Sequence, residues 1–394
     1  MSTELVKFYL LHPLRLLRLL YHTFLLMPLS YYRQDMELHK MNTDQKSLIA
    51  FIVPWKARPK AGYMSIISMS ATAKMLRHLH HSEVILVTYV GFRTYYKNWY
   101  INSPEPVFRF SQIKRFTHLT RLLIHLPEIY AATFYDSLSA RDRKFLSGIK
   151  DFHINILNQN ICLMPGTEAF VSLRKLSSNI TQTTAHDRYA NQGTCDRYGV
   201  PLHHFSVYLD LSPYPRMDFA RTKKTILLSL DKRECRSRIM QMLRADLPDY
   251  KLQTVEGMPF AEYMRIVAAS KFSITFGEGF DGYLIHAAVL GRLCFAVYNE
   301  DFFPDHSCIE LGNIFLSYED MVGTITGRIR RLESDEKTYT EIVRQNMLKI
   351  NQLYNYDRFL DNQNRFYRKQ YDYYPEPDSD IRRQNARGSV SESI

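Results

Sequence analysis

Three glycines and two carboxylates fall within six residues of this sequence, Gly277-Glu278-Gly279-Phe280-Asp281-Gly282, and no other stretch concentrates so much chemistry. Glycine lets the backbone adopt positive φ and approach a ligand closely, while Glu278 and Asp281 bring hydrogen-bond acceptors into the same small space. A carboxylate between two glycines contributes little packing and has high capacity for sugar hydroxyls. The bland alternative is a glycine turn that only reverses the chain, since glycine loops alone are a weak motif.

The flanking residues say which elements hold this loop. Phe272 to Phe276 is a β-branched and aromatic run that predicts a buried strand ending at Gly277. Tyr283 to Leu290 predicts a helix stopped by Gly291, and Leu293 to Tyr298 a second apolar strand. Strand, loop, helix and strand in about thirty residues is a βαβ unit of a parallel sheet. The N-terminus of that helix, at Tyr283, is expected to offer free N–H groups and a positive dipole end to a diphosphate.

Other residues could complete such a site. Lys232 and Arg233 follow an apolar run, Lys224 to Leu230, and suit the neutralisation of a phosphate; the alternative is a solvated helix start. Glu256 follows the run Tyr250 to Val255 and is placed beside a base or ribose. His186 and Asp187 follow the run Ile180 to Thr184, and a histidine beside a carboxylate can act as a general base on a hydroxyl. A His-Asp neighbour pair is also commonly structural. Gly62, Glu168 and Arg188 are further candidates for the walls of a cleft.

Gly277-Glu278-Gly279-Phe280, with Ala287-Ala288-Val289-Leu290-Gly291-Arg292 behind it, resembles the EGFG…EA…G signature of retaining glycosyltransferases of the two-domain GT-B fold, including enzymes of bacterial capsule and O-antigen biosynthesis. The resemblance implies that Glu278 contacts the donor sugar and that Lys232 and Arg233 neutralise the leaving diphosphate. It also implies that the position holding the nucleotide ribose falls on His286, where the family carries a second glutamate. An imidazole can bond a ribose hydroxyl but lacks the bidentate acceptor geometry of a carboxylate. The implied activity is transfer of a sugar from a nucleotide-sugar donor to a saccharide or lipid-linked saccharide, without a metal or other cofactor. Three readings stay beside it: a polysaccharide pyruvyltransferase, a nucleotide-sugar epimerase, and a transferase-like module that binds without turnover.

At 394 residues the chain has room for two domains and extensions. Residues 1–45 read as a basic amphipathic extension and linker, and 46–212 as a first Rossmann-like domain presenting the acceptor. Residues 213–338 read as a second such domain holding the donor, 339–372 as a helix crossing back, and 373–394 as a disordered tail. The hinge is placed at Ser212-Pro213-Tyr214-Pro215. Short strands are also expected over Ile161 to Met164 and Val207 to Leu209. The fold class is therefore α/β, with two Rossmann-like domains facing a cleft.

Composition narrows the partners. The net charge of +11 suits a nucleotide diphosphate or an anionic membrane. No nucleic-acid-binding motif accompanies it, so no nucleic-acid partner is expected. The cysteines, Cys162, Cys195, Cys235, Cys294 and Cys308, are odd in number and lack CxxC spacing, which points to reduced thiols in the cytoplasm and to no metal site. The one acidic DxD, Asp378-Ser379-Asp380, lies in the expected tail. Leu5 to Leu29 is leucine-rich but carries Lys7, His12, Arg15, Arg18 and His22, too charged to span a bilayer. It reads either as an in-plane helix on anionic lipid at the cytoplasmic face or as a helix packed on the protein.

Overall fold

The computed structural model describes residues 21–57, 61–91, 93–214, 216–231 and 234–376. Two wholly parallel sheets organise them. The first has seven strands: β1 (Ser47–Val53), β2 (Glu83–Thr88), β3 (Val107–Arg109), β4 (Arg121–Pro127), β5 (Asp151–Asn158), β6 (Asn179–Thr184) and β7 (Leu202–His204), in the order β3-β2-β1-β4-β5-β6-β7. The second has five: β8 (Lys223–Leu228), β9 (Lys251–Thr254), β10 (Ser270–Ile274), β11 (Leu293–Val297) and β12 (Ile314–Phe315), in the order β12-β11-β10-β8-β9. All seven residues of β1 and all five of β10 are buried, as strands covered on both faces must be.

Both strand orders reverse direction once, between β1 and β4 in the first sheet and between β10 and β8 in the second. In doubly wound sheets a crevice opens outside the carboxyl ends of the strands at that reversal. The loops after β4, β5 and β6 thus share one edge of the first sheet, and those after β8 and β10 share one edge of the second.

Helices used below are α1 (Met27–Lys40), α2 (Ala61–Met75), α3 (Glu234–Asp246), α4 (Phe260–Ala269), α5 (Gly282–Val289), α6 (Tyr318–Ser334), α7 (Glu336–Leu353) and α8 (Tyr356–Tyr367). The expected βαβ unit is present as β10-α5-β11, with Phe272 paired to Leu293 and Ile274 to Phe295. The carboxy-terminal segment is two helices. In α7, Met347 and Ile350 pack on the second sheet's core, whereas Phe359 and Phe366 of α8 join the core of the first. The chain crosses at Tyr354-Asn355, and the Asn355 side chain caps α8 by accepting the Arg358 N–H at 3.0 Å.

Two expected strands are absent. Ile161–Leu163 is a single 3₁₀ turn, because the Asn160 side chain accepts the Cys162 N–H at 2.9 Å and curls the chain. Residues 207–209 make no strand either. Ser206, at φ 55°, turns the backbone out of extended conformation, and β7 runs before that break.

Candidate functional site in the interdomain cleft

A cavity of about 420 Å³ lies between the two sheets, with walls drawn from the strand ends just described. The first sheet contributes Gln159 after β5 and Ala185-His186 after β6, and α2 adds Gly62 and Ser65. The second sheet contributes Glu278, Phe280, Asp281 and Gly282 after β10, with Ile285 and His286 of α5. The connecting chain at 207–212, Asn351 of α7 and Tyr354 just after that helix close the cavity.

The glycine loop is fixed by close contacts, which at Gly279 leave no room for a side chain. Gly279 has φ +84°, and a Cβ there would lie 2.5 Å from the Val297 carbonyl and 2.7 Å from the Phe303 ring. A Cβ on Gly277 would lie 3.0 Å from Asp231 Oδ2 and 3.1 Å from Asp281 Oδ2. Asp231, after β8, is thus a third carboxylate beside this loop, and no motif marks it in the sequence.

Asp281 is the N-cap of α5. Its Oδ1 accepts the N–H groups of Tyr283 at 2.9 Å and Leu284 at 3.3 Å, and its Oδ2 accepts the Thr275 hydroxyl at 2.5 Å. Two of the N–H groups expected to seat a diphosphate are therefore already bonded, because aspartate is among the best helix caps. Burial pushes the Asp281 carboxyl up to about 7, against the lowering effect of Thr275 and the two N–H groups, and Asp231 pushes the same way as burial.

Glu278 reaches across the cleft. Its Oε1 accepts the Asn160 side-chain amide at 2.6 Å, joining the loop after β10 to the loop after β5. Burial raises its pKa, the Asn160 hydrogen bond lowers it and Asp231 raises it further. Asn160 was not predicted; the signal that could have found it is the polar run Asn158-Gln159-Asn160 at the end of a buried strand, the same signal that marked Gly277.

His186 Nε2 lies 3.2 Å from the Gln159 carbonyl, so the tautomer that fits carries its proton on Nε2 and leaves a lone pair on Nδ1. Burial is the main cause that lowers its pKa, and the ring is neutral at pH 7. Asp187 does not hydrogen-bond to it. His186 is extended, at φ −106° and ψ 124°, so successive side chains point to opposite sides. The Asp187 carboxylate instead holds Arg358 of α8 at 2.5 Å and lies 3.3 Å from His204.

The other predicted residues separate into those at the cavity and those away from it. His286 lines it, with Nδ1 3.3 Å from the Tyr263 hydroxyl of α4, and burial lowers its pKa to about 4. The Tyr283 hydroxyl is turned toward Leu230 and Asp231, and burial raises it to about 12. Arg188 is exposed and binds Glu300 at 2.8 Å, and the neighbouring Tyr189 hydroxyl donates to Asp301 at 3.2 Å, so both tie the first sheet to the loop after β11. Glu256 and Glu168 are exposed and outside the cavity wall; Glu168 folds back over Gly166. Lys232 and Arg233 lie outside the described residues, as do residues 5–20 of the amphipathic stretch and Asp378-Ser379-Asp380. Among the described residues no group of three or more His, Cys, Asp or Glu could hold a metal ion.

With this geometry in place, comparison with known proteins defines the fold. No protein-family model and no curated protein matches the sequence. Among solved structures, the chain is similar to sucrose-phosphate synthase from Thermosynechococcus elongatus, at 10% identity over 82% of this chain and 98% of that one, with a TM-score of 0.51. It is also similar to a glycosyltransferase from Rickettsia africae ESF-5, at 10% identity over 83% of this chain and 99% of that one, with a TM-score of 0.47. A third is S. aureus MnaA in complex with UDP, at 11% identity, 84% and 99% coverage and a TM-score of 0.42. The first of these, with the two sheets and their cleft, shows that the fold is GT-B: two Rossmann-like domains facing each other, with helical extensions at both ends.

Proposed function

We propose that the protein is a glycosyltransferase that moves a sugar from a nucleotide-sugar donor to a hydroxyl of a saccharide or lipid-linked saccharide in cell-surface polysaccharide assembly. One observation carries this reading. Glu278, on the glycine loop of the second domain, and His186, on a strand end of the first, line the same cavity from opposite sides. The donor is held by the second domain, where Glu278 orients the sugar and His286 and Gly282 lie behind it. The acceptor enters from the first domain past Gly62 and His186.

As the anomeric C–O bond breaks, its electron pair leaves on the diphosphate oxygen, and Lys232 and Arg233, which follow Asp231 in the sequence, are the proposed groups that neutralise that charge. The acceptor oxygen bonds to the anomeric carbon and its proton passes to His186 Nδ1. Asp187 has no part in orienting the base; the Gln159 carbonyl takes that role. No step in this scheme calls on a metal ion or other cofactor.

A membrane surface supplies the acceptor. On α1, Leu29, Tyr32 and Met36 are exposed in line with Leu25, while Met27, Gln34 and Leu38 are buried on the opposite face. This apolar stripe carries Arg33 and Lys40 at its border. Among the described residues no helix is long and apolar enough to cross a membrane. The cysteines are odd in number and lack CxxC spacing, which suits a reducing compartment.

A second reading, binding without turnover, is favoured by His286, which stands neutral and turned to Tyr263 where the resemblance calls for a carboxylate. Release of nucleoside diphosphate separates the two. Purified protein given nucleotide-sugar and a hydroxyl acceptor is expected to release it, and His186→Ala is expected to lower kcat about 100-fold with donor affinity unchanged. Donor binding with no release by the wild type would select the binding module.

A further inference from the structure

Glu128 stands directly after β4, at the strand reversal of the first sheet, and is only 6% exposed. A carboxyl buried to that extent costs stability unless its oxygens are bonded. Its Oε1 accepts the Asn160 N–H at 3.1 Å, whereas its Oε2 has no hydrogen-bond partner among the described residues. Burial pushes its pKa up to about 7, against the lowering effect of its own N–H and those of Gln159 and Asn160. Packing alone does not account for an acid in this place.

The two residues that Glu128 addresses are the two that reach the site. The Gln159 carbonyl accepts from His186, and the Asn160 side-chain amide donates to Glu278 at 2.6 Å. The Asn160 Oδ1 also accepts the Cys162 N–H, so the turn is held from both ends. We infer that Glu128 is a positioning residue: by fixing the Gln159-Asn160 turn, its carboxyl group sets the places of His186 in one domain and Glu278 in the other. A displacement of this turn by about 1 Å moves both groups at once, which is enough to cost about 100-fold in turnover.

The inference rests on the transferase reading for its kinetic arm only. Hydrogen exchange of the 159–160 amides, read by mass spectrometry on wild type, Glu128→Ala and Glu128→Gln, tests the positioning role without any substrate. Exchange is expected to be about tenfold faster in the alanine variant and near wild type in the glutamine variant, whose side-chain oxygen still accepts the N–H. In the kinetic arm, Glu128→Ala is expected to lower kcat about 30-fold while KM for the nucleotide-sugar changes less than about threefold, with Glu128→Gln restoring most of kcat. Unchanged exchange in the alanine variant, a glutamine variant as loose as alanine, or a KM that rises as kcat falls overturns it. If Glu128→Ala fails to fold, exchange in Glu128→Gln decides: wild-type protection supports the role and lost protection overturns it. If wild type transfers no sugar, the transferase reading fails and the exchange arm alone decides for Glu128.

Discussion

Asp281 illustrates how far burial can set the chemistry of one residue. Its carboxyl caps a helix, yet burial raises its pKa from the 3.8 of a free side chain to about 7. Between those values the unfolded chain ionises while the folded protein keeps its proton, so this group stabilises the fold at acid pH and loses that contribution as pH rises toward 7 and above. Wild type is therefore expected to lose on the order of 2 kcal/mol between pH 5 and pH 8 relative to Asp281→Asn, which keeps the cap acceptor and cannot ionise. Urea unfolding of both proteins at the two pH values checks this; parallel pH dependence would contradict it. At this scale the sequence was readable where a residue acts alone and unreadable where partners matter. Glu278 and His186 lie just after strand ends and line the cavity, as their positions after β-branched runs imply. Asp187 does not join His186, because alternation along extended backbone separates neighbours, and its partner Arg358 lies 171 positions away. Asn160 and Glu128 act through backbone groups of another loop, which no spacing in the sequence reveals.

Elements were legible in proportion to how much of their burial is continuous. The runs Leu48 to Val53 in β1 and Leu293 to Val297 in β11 are apolar throughout and announce themselves; β4, β5 and β10 mix large apolar residues with polar ones, and β7 is the three-residue Leu202–His204, with histidines buried against α8. Its polar composition hides it, and the apolar Val207 to Leu209 nearby belongs to the cleft wall. Helix α1 was only half visible. Its buried face, Met27, Gln34 and Leu38, is anchored by the Gln34 amide donating to the Val107 carbonyl at 2.7 Å, leaving the opposite stripe to solvent. If that stripe meets a bilayer, Tyr32→Glu with Met36→Glu is expected to weaken binding to vesicles containing anionic lipid about tenfold or more, with thermal stability unchanged. Co-sedimentation measures this, and equal binding by the double variant would place the membrane contact elsewhere.

At the scale of the whole molecule, polar contacts among the described residues that bridge the domains across the cleft include Asn160 to Glu278, Arg188 to Glu300 and Tyr189 to Asp301. Two of these are exposed polar contacts of small net worth, whereas the first uses the carboxylate assigned to the sugar. A donor that bonds Glu278 must share it with Asn160 or displace it, so donor binding and the approach of the two domains are linked events. Paired sheets could be anticipated from two successive α/β arrays, but the meeting of their loops could not, since contacts between domains leave no periodic trace in sequence.

The measurement that bears most directly on this account is calorimetric titration of the purified protein with UDP-, GDP-, dTDP- and CMP-sugars, alongside Glu278→Ala. Saturable binding of one nucleotide-sugar, weakened about tenfold or more in the variant, is the predicted result. Well-folded wild type that binds none of them, or binding that Glu278→Ala leaves intact, would contradict a donor site on the glycine loop.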